Sequence, residues 1–218
     1  IILKNIDNIP YEIIGAGSNI LIRDKGFDGI IFKLGKNFNR ITLQKKYLEV
    51  GAGILDINFS KFAQINNIAD FEFYSGIPGT IGGAIKMNAG CYGSETKDNL
   101  ISIQTISSKG ELITTDVNNL NFSYRSSTIP SGNIIILARY KYSYGDKLLI
   151  SKNIKNIRLM REKSQPLKTK TGGSTFKNPI NNYAAKLIED TGCKGLRVGD
   201  AVVSHKHANF LVNLKNAT

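Results

Sequence analysis

The chain of 218 residues is short of cysteine, of histidine and of acidic groups, and it has no long apolar run. Its two cysteines, Cys91 and Cys193, give no disulfide framework and fit a reducing compartment. Cys91 lies in a glycine-rich region, where a small neutral side chain is the first reading and a redox role the second. His205 and His207 have no cluster of cysteines or carboxylates around them, so no metal site is expected. No apolar stretch approaches the roughly 20 residues that span a bilayer, so membrane insertion is not expected. Seventeen acidic residues against 29 lysines and arginines leave a net charge of +12. Such a balance suits nucleic acid, anionic lipid or phosphorylated metabolites. The lysines are scattered, without arginine clusters or interleaved aromatics, which argues against nucleic acid. Much of the charge reads as a solvated surface.

Hydrophobic content of 41% and charged content of 21% are ordinary for a globular protein of one or two domains. No secretory pattern starts at Ile1, and a cytoplasmic location is expected. The chain opens without Met and inside what reads as a strand, so further residues are expected before it.

Two glycine-rich loops stand out: Gly15-Ala16-Gly17-Ser18-Asn19 and Ser75-Gly76-Ile77-Pro78-Gly79-Thr80-Ile81-Gly82-Gly83. Each reads either as a tight turn or as a place where bare backbone approaches an anion. Two together, with Ser18 and Thr80 adding hydroxyls, suggest a large phosphate-bearing cofactor held at two points. The first loop is no dinucleotide fingerprint, because no third glycine and no helix follow it. Ile20-Leu21-Ile22, the Asp24-Lys25-Gly26 turn and Ile30-Ile31-Phe32 read as strand, loop and strand, with Ile13-Ile14 before them. The second loop predicts a helix over 81–87, capped by Thr80 and ended by Asn88-Ala89-Gly90, its N-terminus aimed at a pyrophosphate.

Further along, Tyr47–Val50 reads as a strand. Leu55, Phe59, Phe62 and Ala63 mark the apolar face of a helix. Ser107–Gly110 reads as a hairpin turn between strands 101–106 and 111–115, and 134–137 as a buried strand. A helix is predicted over 147–163, with Ile150, Ile154 and Ile157 inward and Pro166 beyond its end. Another is predicted over 183–190, with Ala184, Leu187 and Ile188 inward, Asn182 as cap and Gly192 as stop.

The two loops, together with Met87-Asn88-Ala89-Gly90, Tyr124-Arg125-Ser126-Ser127 and Gly173-Ser174-Thr175-Phe176-Lys177-Asn178-Pro179, occur in an order that resembles the UDP-N-acetylenolpyruvoylglucosamine reductase family. Ser204–Phe210 is similar to a further signature of that family. The resemblance implies an α+β fold. An FAD-binding domain of the vanillyl-alcohol-oxidase (PCMH) type, residues 1–145, would precede a smaller α+β substrate-binding domain, residues 146–218, each lacking its outer part. It implies FAD as cofactor, NADPH as reducing cosubstrate and a UDP-sugar substrate, in a monomeric enzyme of cell-wall precursor synthesis. Cofactor contacts are then expected from Gly15, Ala16, Gly17, Ser18, Asn19, Ile20, Gly76, Ile77, Pro78, Gly79, Thr80, Gly83, Ala84 and Asn88.

By the same resemblance Arg125 is the catalytic arginine and Ser174 the proton donor, with Tyr124, Arg125, Lys177 and Asn178 at the substrate. A guanidinium is permanently charged and binds a carboxylate bidentately, which suits a developing enolate. A serine hydroxyl is a weak acid, and only a strongly basic centre takes its proton. On their own these residues read as a surface arginine and a serine in a glycine turn; Tyr124 fits core or substrate, and Lys177 fits phosphate or solvent. The family's C-terminal glutamate has no counterpart in a matching context, Glu162 and Glu189 included. The short interval between Arg125 and Arg139 resembles the subtype without a tyrosine lid. Two other readings remain: a different flavin oxidoreductase of the same fold, and a basic module that binds nucleic acid.

Overall fold

The computed structural model describes residues 2–6 and 9–218. It comprises two compact units, one of Ile1–Ala16 and Asp28–Ile157, the other of Gly17–Phe27 and Arg158–Thr218.

In the first unit, β1 (Tyr11–Ile14) and β2 (Ile30–Lys33) pair in parallel, with Tyr11 opposite Ile30 and Ile14 opposite Lys33. Parallel neighbours need a crossover rather than a hairpin, and the first glycine loop begins that crossover at Gly15. There follow β3 (Ile41–Leu43), β4 (Leu48–Gly51), α1 (Asp56–Ile65), α2 (Ile81–Lys86), β5 (Gly90–Cys91) and β6 (Ser94–Glu95). Then come β7 (Leu100–Ile106), β8 (Leu112–Asp116), β9 (Phe122–Ser123), β10 (Ser126–Ser127) and β11 (Ile134–Tyr140). The main sheet runs β3-β4-β11-β7-β8, antiparallel at every pairing.

Alternation explains its buried face. Leu48 and Val50 point into the core while Glu49 points away and pairs with Arg139 across the β4–β11 ladder, 2.9 Å from Nη2. In β11 the pattern slips, because two steps from Ile135 to Leu137 oppose one step from Thr105 to Gln104. The extra residue, Ile136, makes a bulge. Its carbonyl accepts from the Ala52 N–H at 3.0 Å and so anchors the turn that leads into α1. Under the sheet, Phe59 meets Phe71 at 4.8 Å, Tyr74 at 5.3 Å and Tyr140 at 5.4 Å between ring centroids. The buried Tyr74 and Tyr140 hydroxyls lie 3.2 Å apart and satisfy each other.

α3 (Lys147–Ser164) runs from the first unit into the second. Of the expected stripe, Ile150 and Ile157 are buried and Ile154 is half-buried. The second unit adds α4 (Ala184–Asp190) and an antiparallel sheet of β12 (Arg197–Val198), β13 (Ala201–Val203) and β14 (Leu211–Asn213).

Several local expectations are corrected. Ile2–Asn5 is a 3-10 turn, not a strand. Ile20–Ile22 forms no strand: no neighbouring strand supplies a ladder, and Leu21 is 96% exposed. Leu55 precedes α1 as its N-cap, so it lies off the helix's apolar face and is 42% exposed. Leu187 faces outward at 44% exposure, because the buried face of α4 centres on Ala184.

Candidate functional site

The first unit brings the start of the first glycine loop onto the second. A Cβ on Gly15 would strike the Thr80 hydroxyl, so only glycine permits this approach. Gly82 is constrained less tightly, with a Cβ there 3.2 Å from the Ala52 carbonyl oxygen. α2 therefore packs directly on the end of β4, which is the compensation for two adjacent glycines of poor helix propensity.

Thr80 is the N-cap residue of α2, as expected, but its side chain makes no capping bond. Instead the N–H groups of Ile81 and Gly82 donate to the carbonyls of Ile54 and Ala52, both at 2.9 Å. The N–H of Asp56 donates to the Gly79 carbonyl at 3.0 Å. These bonds lash the second loop to the start of α1. None of the hydrogen bonds among the described residues uses the N–H of Gly79, Thr80 or Gly83. Those three donors are the groups an anionic cofactor can engage. Glycine closeness at Gly15 and unpaired donors at Gly79, Thr80 and Gly83 fit a phosphate-bearing cofactor such as FAD.

Three buried polar groups belong to α1 and the start of the second loop. Asp56 is fully buried, and among the described residues neither carboxyl oxygen has a hydrogen-bond partner, nor do the buried Ser60 Oγ and Ser75 Oγ. Burial pushes the Asp56 carboxyl well above the usual carboxylate range.

At the other end of α2, Asn88 and the β9–β10 hairpin meet. Arg125 is the second residue of the two-residue turn joining Ser123 to Ser126 and has φ +53°. A left-handed backbone at a non-glycine residue costs of order 1–3 kcal/mol and concentrates at functional sites. Its Nη2 donates to the Gly90 carbonyl at 2.6 Å and Nη1 to the Asn88 carbonyl at 3.4 Å. The guanidinium lies 4.9 Å from the centre of the half-exposed Tyr124 ring. Lys86 Nζ donates to the Ile129 carbonyl and Ser127 Oγ to the Lys86 carbonyl, which ties the hairpin to α2. Asn88, expected at the cofactor, is fully buried with its amide donating to Glu95 Oε2 and the Ser123 carbonyl.

The second unit holds Ser174. The residue bridges Phe210 of the chain just before β14, and its own side chain is exposed. Gly173, at φ +86°, turns the chain into this position. Asn209, buried, grips the next residues: its Oδ1 accepts from the Phe176 N–H at 2.9 Å, its Nδ2 donates to the Phe176 carbonyl at 2.8 Å, and its carbonyl accepts from the Thr175 N–H at 2.8 Å. Asn178 caps α4, with its Oδ1 accepting from the Ala184 N–H at 3.1 Å. Asn182, the expected cap, only accepts from its neighbour Tyr183. Lys177 is exposed. Gly17, Ser18, Asn19 and Ile20 lie in this unit, where the Ile20 carbonyl sits 3.7 Å from a Cβ built on Gly172.

Asn209 and Glu95 are the residues that sequence reasoning passed over. The Ser204–Phe210 signature contains Asn209, but no linear pattern links it to Phe176. His207 Nδ1 accepts from the Asn209 N–H at 3.3 Å, and burial lowers the His207 pKa, so the ring is a neutral packing partner of Phe210. Two surface cavities, of about 520 and 380 Å³, are lined by residues such as Asn118 and Phe122, and Arg40 and Gln104; neither contains an expected site residue.

Comparison with known proteins bears on all of this. Residues 3–116 match the family described as FAD binding domain. The UDP-N-acetylenolpyruvoylglucosamine reductase of Rickettsia massiliae (strain Mtu5) is 43% identical over 217 residues, covering 100% of this chain and 74% of the relative. The chain belongs to the UDP-N-acetylenolpyruvoylglucosamine reductase family. Residues 165–218 match the C-terminal domain of that reductase family. The reductase of Rickettsia conorii (strain ATCC VR-613 / Malish 7) has the same identity and coverage. In three dimensions the chain is similar to the crystal structure of the reductase from Thermus caldophilus, with a TM-score of 0.89 and 36% identity, over 99% of this chain and 79% of that one. The chain is thus an oxidoreductase of this reductase family. Its fold is α+β, an FAD-binding domain of the vanillyl-alcohol-oxidase type with a smaller α+β part after it. No helix among the described residues is long and apolar enough to cross a membrane.

Proposed function

We propose that this protein reduces UDP-N-acetyl-enolpyruvoylglucosamine to UDP-N-acetylmuramate with NADPH, in cytoplasmic peptidoglycan precursor synthesis, as a monomer. The observation that carries the reading is the close approach of Gly15 to the Thr80 hydroxyl beside a loop whose Gly79, Thr80 and Gly83 N–H groups find no acceptor among the described residues. We assign the cofactor-binding role to Gly15–Ile20 and Gly76–Thr80, with Gly83, Ala84 and Asn88. FAD held by these residues would supply the hydride that reduces the enolpyruvyl double bond, with NADPH as the reductant that restores it.

The chain's own groups then manage charge and proton. Negative charge develops at C2 and spreads into the substrate carboxylate. Arg125 keeps guanidinium donors beyond the two given to carbonyls, and these pair with that carboxylate as its charge grows. Ser174 gives its hydroxyl proton to C2, and solvent restores it. One hydride and one proton thus add across the double bond. Tyr124, Lys177 and Asn178 are proposed to contact the substrate. The Asn178 side-chain oxygen is already the cap of α4, so its amide N–H groups are what it offers. The functional division is kept at residues 1–145 and 146–218; the two family matches leave residues 117–164 between them. The two-residue turn at Arg125 and the short run to β11 favour the subtype without a tyrosine lid.

An anaerobic visible spectrum of the full-length enzyme tests the reading. Yellow colour should bleach with NADPH and return with the enolpyruvyl sugar. Bleaching without return means another acceptor, and no colour even with added FAD sinks the cofactor assignment.

A further inference from the structure

We infer that Asn88 and Glu95 form a positioning pair for Arg125, setting its guanidinium through the backbone of residues 88–90; this rests on the proposed role of Arg125. The Asn88 amide is saturated by protein. Its Nδ2 donates to Glu95 Oε2 at 3.0 Å and to the Ser123 carbonyl at 3.1 Å, and its Oδ1 accepts from the Lys97 N–H at 3.2 Å. One fully buried side chain therefore ties the end of α2 to the β5–β6 hairpin and to β9, the strand that leads into Arg125. Asn88 itself has φ +40°, a backbone that asparagine tolerates better than most residues.

Arginine has a long stem with many rotamers, and a hairpin turn alone would not select one. Here two carbonyls select it, those of Asn88 and Gly90. Glu95 acts on both. It receives the Asn88 amide, and it pairs with Gly90 across the β5–β6 ladder. A Cβ on Gly90 would collide with the Ser94 carbonyl, so the approach of the two strands is fixed by glycine. Glu95 is held in turn. Its N–H donates to Asp98 Oδ2 at 2.7 Å, and Lys97 Nζ lies 3.2 Å from its Oε2. The chain of contacts runs from Asp98 and Lys97 through Glu95 and Asn88 to the two carbonyls that orient Arg125. Both Asn88 amide protons are spent on protein acceptors, so the side chain acts on the arginine and any contact of Asn88 with the cofactor falls to its backbone.

The test separates the two half-reactions in the full-length, FAD-loaded enzyme by stopped flow: bleaching by NADPH, then return of colour with the enolpyruvyl sugar. Arg125 acts only in the second. Glu95→Ala is the deciding variant, since the Glu95 side chain is partly exposed and lies outside the assigned cofactor residues. The expected result is a return of colour slowed about tenfold or more, with FAD content and bleaching rate unchanged. On an Arg125→Ala background, Glu95→Ala should add no further loss. An unchanged return of colour overturns the pairing. So does FAD loss, or equal slowing of both steps, because either would give the pair to the cofactor cradle. If Arg125→Ala leaves the return of colour intact, the role of Arg125 fails instead, and the pairing with it.

Discussion

The two units hold their functional loops by different forces. The first buries a continuous apolar cluster that includes Leu48, Val50, Phe59, Phe71, Ile81, Ile85 and Ile103. Its glycine loops are held by packing and by backbone bonds to the start of α1: Gly15 lies on Thr80, Gly82 on Ala52 and α2 on β4. In the second unit the buried apolar residues are Ala184, Ala208, Phe210 and Val212, while Leu196, Val198 and Leu211 stay exposed. Its loops are held instead by side-chain amides and carboxylates. Asn209 grips Phe176, Asn178 caps α4, and Asp200 Oδ2 accepts from the Asn216 N–H. A core stiffens a loop through many weak contacts, whereas a hydrogen bond stiffens it through one directional contact. Single polar substitutions should therefore matter more in the second unit, and single apolar ones in the first.

The largest expected effect is Phe59→Ala. Phe59 is fully buried against three other rings, and truncation should cost about 3–5 kcal/mol. Phe210→Ala, beside His207 in the smaller cluster, should cost less. Urea unfolding followed by circular dichroism compares them, and equal losses would erase the contrast between units.

Next comes Asn209→Ala. It removes the side-chain partner of the part-buried Phe176 N–H and carbonyl, at about 0.5–1.5 kcal/mol for each bond lost. Hydrogen exchange should accelerate around residues 174–178 while the first unit keeps its protection. Uniform acceleration through both units would mean that Asn209 supports the whole chain, not one loop.

The smallest effect is a slope. Asp56 is an exception inside the first unit, a buried carboxyl with no partner among the described residues. Its folded pKa is raised, so the native state holds a proton that the unfolded chain releases from about pH 4 upward. That contribution to stability is present at acid pH and is lost as pH rises toward the raised pKa, by up to about 1.4 kcal/mol per pH unit. Asp56→Asn should flatten the profile and stabilise the protein near neutral pH. A wild-type profile with no decline over that window would show that Asp56 is charged and paired in solution.

Much of the fold was legible because its signals are local. Tyr47–Val50 read as a strand, periodicity marked Ile150 and Ile157, and the turn at Ser107–Gly110 announced its hairpin. The errors arose where a local pattern lacked its partner. Ile20–Ile22 has strand composition but no neighbouring strand, and Asn182 precedes α4 but loses the cap to Asn178, which the chain folds back to supply.

The same distinction separates what the sequence determined alone from what folding decided. Glycine placement, helix phase and the order of the motifs are properties of neighbouring residues, and they sufficed to indicate the family and to nominate Arg125 and Ser174. The partners of those residues are not neighbours. Thr80 meets Gly15, Arg125 reaches the Asn88 and Gly90 carbonyls, and Asn209 reaches Phe176, each across a long stretch of chain. Such pairings exist only after sheet, bulge and hairpins have set the distances, because a hydrogen bond is made or lost within about an ångström.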